Sequence, residues 1–353
     1  MNITFFAPSL KLSGGLIVMF KYAQALAEAG YNSAVIAPDN KIIDKIENGV
    51  HIKTFKKFPN KYFEHIFFQL IYLKQFYDAA PQSDIIIPVF FPLIIHALYC
   101  KKKRKTKNVI SLFQDFKEMY WFGRYICFLL GLKGITKNTD KFIAVSRSAA
   151  DEIKKYSGID AAVIPNGIEH EYFYPRTSAK ENYILFIGSS SKMKGLEYFL
   201  KAFDLIEKEF PNIKAKIVIP SNITIKNHNI EIIDAVKDRN KLGVLYSKAL
   251  IFISQSLGDS FGMPPLEAMA SGTAVVMTDT AGSREYAADN ENCLIVPVKS
   301  PEKTAQAVIK LLKNETLRCR LEQQGIKTAQ KFKWDDAFEK FNKEVLLLNG
   351  NKN

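Results

Sequence analysis

The stretch ALIFISQSLGDSFGMPPLEAMASGTAVVMT, residues 249–278, holds a strand, a loop, a helix and a second strand in succession. Ala249 to Ser254 and Ala274 to Thr278 are continuous apolar runs, the pattern of strands buried on both faces of a parallel sheet. Pro264 and Pro265 suit the first turn of a helix, where a missing N–H costs nothing, and Gly272 suits its C-terminal stop. The predicted helix is therefore short, and its N-terminus faces the end of strand Ala249 to Ser254. Strand, helix and strand in this order form the repeating element of an α/β fold.

The same alternation runs outward in both directions. Upstream, the predicted strands are Ile3 to Pro8, Ser33 to Pro38, Asp84 to Val89, Val109 to Gln114, Lys141 to Ser146 and Ala162 to Pro165, with helical patterns at Gly15 to Ala29 and Arg147 to Tyr156. A polar interval, Glu171 to Asn182, carries Pro175, Arg176, Thr177 and Ser178 and is the predicted linker. Strands Tyr183 to Gly188, Ala215 to Pro220 and Leu294 to Val296 and helix Gly195 to Phe210 complete the second half. Helices are predicted at Thr304 to Leu312, Glu315 to Lys331 and Trp334 to Leu348. The fold class that follows is α/β, with two Rossmann-like, doubly wound domains at residues 1–170 and 171–333. A terminal helix at 334–353 is expected to cross back onto the first domain. Ligands of such sheets bind beyond the carboxyl ends of the strands, which places the expected site in a cleft between the domains.

The length of 353 residues suits two cores, and 47% hydrophobic with 24% charged residues is a globular balance. Cys100, Cys127, Cys293 and Cys319 lie far apart without a Cys-x-x-Cys pair, which argues against a zinc cluster or disulfide framework and fits a reducing, cytoplasmic compartment. Met1 to Ala7 lack a basic leader, so no export is expected. Ile85 to Cys100, interrupted by Pro88, Pro92 and His96, is too short to span a bilayer and reads as a buried strand followed by a helix. The net charge is +13, and ten of those charges fall before Asn166. The densest run is Lys101 to Lys107 (KKKRKTK), which reads either as a solvated turn or as a patch attracted to anionic lipid. No helix-turn-helix, zinc finger or RNA-binding aromatic signature accompanies it, so nucleic acid is not expected as a partner.

Three junctions carry candidate chemistry. Gly14 and Gly15 follow the first strand and open a helix, a place where backbone amides approach a phosphate or where glycine simply allows a turn. Gly188, Ser189, Lys192, Lys194 and Gly195 form a second strand-loop-helix junction, whose lysines can neutralise a diphosphate beside a helix start. It lacks the residue order of a Walker loop. In the third, Asp259 precedes the helix and Glu267 lies in or near its first turn. Two carboxylates beside the amides of Phe261, Gly262 and Met263 are suited to grip the hydroxyls of a sugar and a ribose. The plainer reading makes Glu267 a helix-dipole carboxylate and Asp259 a loop cap. The five histidines, His51, His65, His96, His170 and His228, form no metal-ligand spacing, and there is no Asp-x-Asp motif, so neither metal nor cofactor is expected.

The stretch from Asp259 to Glu267 resembles the Glu-x7-Glu motif of the family 4 retaining glycosyltransferases, which have the two-domain GT-B fold. Gly14 and Gly15 are similar to that family's amino-terminal glycine pair. Phe142 to Ser146 with Val163 to Ile168 resemble its domain-joining segment, and Gly282 to Glu285 with Asn292 to Pro297 resemble later donor-domain elements. The resemblance implies that Glu267 binds the ribose of a sugar nucleotide, that Asp259 and the amides of Phe261 to Met263 contact the donor sugar, and that Lys194 binds the diphosphate. Asp259 stands where the family has Glu, one methylene longer, and Ser189 stands where it has arginine; Lys192 is the candidate replacement for that charge. Gln114 and Asp115 occupy the place of a histidine near the acceptor, as in rhamnosyltransferase-like members.

The implied reaction moves a hexose or deoxyhexose from a nucleoside-diphosphate sugar to a hydroxyl of a glycan or lipid-linked acceptor, with retention and without metal. A basic acceptor domain suggests work at the inner face of the plasma membrane, as in polysaccharide assembly. The alternatives are a non-catalytic nucleotide-sugar-binding protein, motivated by Ser189 and Asp259, and an epimerase or phosphorylase on the same architecture.

Overall fold

In the computed structural model, the described residues are 1–10, 14–58, 71–114, 137–176, 179–189, 191–220, 223, 225–234, 236 and 238–350. They divide into two compact units, Met1–Pro165 with Ala337–Asn353, and Asn166–Asp336. The division falls ahead of the predicted linker, just past strand Ala162–Val163 of the first unit, because Ile168 already bonds within the second unit. Ile168 N donates to the Phe332 carbonyl at 2.9 Å.

The first unit is built on an eight-stranded sheet. Its strands are β1 (Asn2–Phe6), β2 (Asn32–Asp39), β3 (Asp44–Glu47), β4 (Val50–Lys56), β5 (Ser83–Pro88), β6 (Thr106–Phe113), β7 (Lys141–Ala144) and β8 (Ala162–Val163). The order is β3-β4-β2-β1-β5-β6-β7-β8, parallel throughout except for the β3–β4 edge. The described helices of this unit include α1 (Gly14–Glu28), α2 (Leu73–Ala79), α3 (Ile94–Lys102) and α4 (Arg147–Ser157). Helix α4 begins where the Ser146 hydroxyl accepts from the Ala149 amide and stops at Gly158, whose φ of 74° is the left-handed stop that glycine takes most easily. Buried Phe6, Ile36, Phe76, Ile86 and Val109 form part of its core.

The second unit carries β9 (Glu181–Ile187), β10 (Lys214–Val218), β11 (Ile230–Ile233), β12 (Ala249–Ser254), β13 (Ala274–Thr278) and β14 (Leu294–Val296). All pair in parallel, in the order β11-β10-β9-β12-β13-β14. Around them lie α5 (Leu196–Glu209), α6 (Arg239–Lys248), α7 (Met263–Ala270), α8 (Pro301–Lys313) and α9 (Glu315–Ala329). The chain winds outward from β9 to β11, then returns to the other side of β9 as β12. The strand order therefore reverses between β9 and β12, the point where doubly wound sheets bind ligands. A last helix, α10 (Trp334–Gly350), leaves the second unit, and its residues from Ala337 onward belong to the first.

The run Lys101 to Lys107 ends α3, turns, and opens β6. Lys101 Nζ donates to both carboxylate oxygens of Asp140, at 2.7 and 2.6 Å, Lys107 pairs with Asp84 at 2.7 Å, and Lys105 lies 4.4 Å over the Tyr77 ring. Lys102, Lys103 and Arg104 are exposed.

Candidate functional site

Two loops leave neighbouring strands at the reversal point of the second unit. Gly188 and Ser189 follow β9, and the Ser189 hydroxyl accepts from the Ser191 amide at 3.2 Å, so it serves the turn. A short 3-10 turn, Lys192–Lys194, ends at Gly195, whose φ is 70° and whose Cβ position lies only 2.0 Å from the Gln255 carbonyl oxygen. Only glycine allows this approach. The two loops are thereby fastened together, a join reinforced by the Leu257 amide donating to the Met193 carbonyl at 2.8 Å.

The second loop follows β12 and carries Asp259. Its side chain accepts from Lys194 Nζ at 2.9 Å, so it forms a cross-loop ion pair rather than the loop cap of the plainer reading. The loop is braced from behind. Gly282 packs its Cβ position 2.1 Å from the Ser260 carbonyl carbon, and Tyr286 donates its hydroxyl to the Gly262 carbonyl at 2.5 Å. Phe261 is 3% exposed and meets Tyr286 and Phe332 edge to face, so only its backbone is available to a ligand. Gly262, with a φ of 85°, is the N-cap of α7, and the two prolines that follow Met263 have no N–H. The donors that no helical carbonyl reaches therefore concentrate around Gly262 and Met263.

Glu267 is the fifth residue of α7, one turn too deep to act as a helix-dipole carboxylate, and it is 5% exposed. Its Oε1 accepts from Arg239 Nη2 at 2.8 Å and its Oε2 from the Tyr246 hydroxyl at 3.0 Å. Arg239 also binds Glu169, with Nε and Nη2 at 2.7 and 2.6 Å from Oε2, and lies 4.6 Å over the Phe173 ring. Burial opposes the charge on Arg239, but the Glu267 and Glu169 carboxylates more than offset it and hold the guanidinium protonated. Burial, with the Glu267 charge beside it, pushes the Tyr246 hydroxyl well up, so it remains a donor.

Sequence reasoning assembled Gly188, Ser189, Lys192, Lys194, Asp259, Phe261, Gly262, Met263 and Glu267, and the structure brings them to one end of one sheet. Lys192 is exposed and forms no ion pair among the described residues. Arg239, Tyr246 and Glu169 were missed, and the available signal was a seven-residue spacing of Arg and Tyr in a segment whose helix went unpredicted. In the first unit, Gly15 and Gln114 meet: the Gln114 amide oxygen lies 2.9 Å from the Cβ position of Gly15, whereas Gly14 has open space. Asp115 lies outside the described residues. A cavity of about 460 Å³ lined by Tyr183, Lys214, Lys216, His228 and Glu231 opens near the amino-terminal ends of β9, β10 and β11, and Lys216 there pairs with Glu181 and Glu231. Among the described residues, no three His, Cys, Asp or Glu side chains converge as a metal site, and no helix is long and apolar enough to cross a membrane.

Two protein-family models match successive parts of the chain: Glycosyltransferase Family 4 over residues 12–172 and Glycosyl transferases group 1 over residues 169–328. Among curated relatives, an uncharacterised glycosyltransferase of Methanocaldococcus jannaschii is 28% identical over 217 residues, 60% of each chain. The phosphatidyl-myo-inositol mannosyltransferase of Mycobacterium tuberculosis is 29% identical over 212 residues, 54% of this chain and 55% of that protein. The O-antigen chain mannosyltransferase of Salmonella typhimurium is 27% identical over 228 residues, 57% and 63% of the two chains. The chain thus spans little more than half the length of these relatives. Among solved structures, sucrose-phosphate synthase of Thermosynechococcus elongatus matches with a TM-score of 0.81 at 17% identity, covering 99% of both chains. Anabaena HepE in complex with UDP and glucose matches with 0.78 at 12% identity, covering 98% of this chain and 99% of that one. These structural likenesses establish the two-domain α/β architecture. With both halves matched in order, the chain belongs to the family 4 glycosyltransferases and has the GT-B fold.

Proposed function

We propose that this chain is a retaining glycosyltransferase that moves a hexose or deoxyhexose from a nucleoside-diphosphate sugar to a hydroxyl of a glycan or lipid-linked acceptor, without a metal ion. The observation that carries this reading is the placement of Lys194 and Glu267 on or beside the loops that leave adjacent strands at the reversal point, with Gly262 and Met263 at the start of the helix that carries Glu267. Glu267 would accept from the ribose hydroxyls, Lys194 would face the diphosphate, and the amides would hold the sugar. The names of relatives that act on phosphatidyl-myo-inositol and on O-antigen chains support the acceptor class. The UDP bound in HepE supports a nucleotide donor.

In the reaction, the bond from the anomeric carbon to the phosphate oxygen breaks and its electron pair stays on the diphosphate. Lys194 and the amides stabilise that charge, most strongly where water is excluded. The acceptor oxygen bonds to the anomeric carbon on the same face and its proton passes to the departing phosphate oxygen, so no protein base is required. The absence of an Asp-x-Asp motif supports metal independence. Gln114, beside Gly15, is assigned to the acceptor side. Exposed Lys102, Lys103 and Arg104 are assigned to anionic lipid at the cytoplasmic face of the membrane.

A thermal-shift screen of UDP, GDP, dTDP and ADP sugars tests the donor site, because a ligand that binds only the folded state raises its apparent stability. One nucleotide sugar should shift the native protein and fail to shift Glu267→Ala, which should also lose most transfer. Near-normal transfer by Glu267→Ala would remove the site assignment.

A further inference from the structure

We infer that Arg239 and Tyr246 are positioning residues for nucleotide recognition: from one face of α6 they hold the Glu267 carboxylate in a fixed orientation that leaves it ready for a ribose. This rests on the ribose-binding reading of Glu267.

Asp238 starts α6, its carboxylate accepting from the amides of Asn240 and Lys241 at 2.9 and 3.3 Å. Seven residues on a helix are two turns, so Arg239 and Tyr246 share a face. That face delivers one donor to each oxygen of Glu267, whose side chain is nearly closed to solvent. An ionised carboxylate has about four acceptor directions. With α6 occupying two, about two remain, the number that a vicinal pair of ribose hydroxyls needs. Arg239 is itself immobilised, gripped by Glu169 on one side and stacked on Phe173. Two carboxylates share one guanidinium. A carboxylate fixed before the nucleotide arrives loses no side-chain freedom on binding, which is how pre-organisation raises affinity.

A purely structural ion pair would also stabilise the fold, since removing one partner of a buried pair leaves an uncompensated charge. Stability therefore does not separate the two roles, but a ligand pair differing only at the ribose does. Titration of UDP against dUDP, and of GDP against dGDP, should show the native protein preferring the ribonucleotide of its base by about tenfold, the worth of a hydrogen bond to a charged group. Arg239→Ala and Tyr246→Phe should flatten that preference to about threefold or less, and Arg239→Lys, which restores a charge near Oε1, should recover part of it. Tyr246→Phe keeps the ring packing and decides the question if Arg239→Ala does not fold. If both variants weaken ribo and deoxy forms by the same factor while Glu267→Gln alone abolishes the preference, Arg239 and Tyr246 are structural and the inference is overturned. If the native protein shows no ribose preference, or Glu267→Gln retains it, the ribose reading of Glu267 falls and takes the inference with it.

Discussion

Asp259 and Lys194 satisfy each other across two loops. The aspartate is one methylene shorter than the glutamate of the resembled motif, and the Lys194 ammonium sits within hydrogen-bond distance of it. A diphosphate approaching Lys194 meets a cation already partly neutralised. Asp259→Asn should therefore tighten nucleoside-diphosphate binding by roughly 0.2–1 kcal/mol, the worth of a partly exposed ion pair, as read by titration with UDP and GDP. The same variant should slow sugar transfer, because the amide no longer accepts as strongly from a sugar hydroxyl. Tighter diphosphate binding with unchanged transfer would restrict Asp259 to its lysine. The residue types at 194, 259 and 267 were legible in the sequence, since strand-loop-helix junctions can be located from local pattern. Their pairings were not: Lys194 and Asp259 are 65 positions apart, and nothing local specifies that contact.

At the scale of elements, the glycines show where packing overrides propensity. Gly195→Ala would place a methyl group against the Gln255 carbonyl in a left-handed backbone conformation, and should lower the denaturation free energy by more than ~1 kcal/mol, measured with urea. Helix α6 went unpredicted for a related reason. Its Gly243 interrupts the helical pattern, yet a Cβ there would lie 2.1 Å from the Tyr172 carbonyl oxygen, so close packing of α6 demands the residue that obscures it. Edge strand β3, DKIE, is exposed at every position and offers no apolar run to detect. Past the end of α7, Lys180 Nζ donates to the Gly272 carbonyl at 2.7 Å and to Thr273 Oγ1 at 3.2 Å. Burial lowers its pKa to about 8. Between about pH 8 and about 10.4 the unfolded chain holds this proton and the folded one has released it, so stability from this group rises with pH across that window. The urea midpoint of the native protein should increase from pH 7.5 to 10 relative to Lys180→Met, which lacks the group; equal pH dependence in both would contradict the lowered pKa.

At the scale of the whole molecule, the last helix belongs to the first unit although the chain reaches it from the second. Phe341 is fully buried and stacks on Tyr22 of α1 with ring centroids 4.2 Å apart, and Glu344 pairs with Lys141 of β7 at 2.7 Å. Phe341→Ala should destabilise the first unit by about 3–5 kcal/mol, the range for emptying a buried phenylalanine site. Hydrogen exchange should report faster opening of β1 and α1 with little change in β9 and β12. Uniform loss of protection in both units would mean that they unfold together.

By itself the sequence determined the fold class, the buried central strands of both halves with most of the helices between them, and the residue types at the three junctions. Periodicity, prolines and glycines act over a few residues, and a single chain displays them. Only the tertiary structure decided that Glu267 is held by Arg239 and Tyr246, that Asp259 answers Lys194, and that the unit boundary precedes the polar interval after Glu171. Arg239 lies 28 positions from Glu267 and 70 from Glu169, and a contact at that separation exists only once the sheet has brought its strands together.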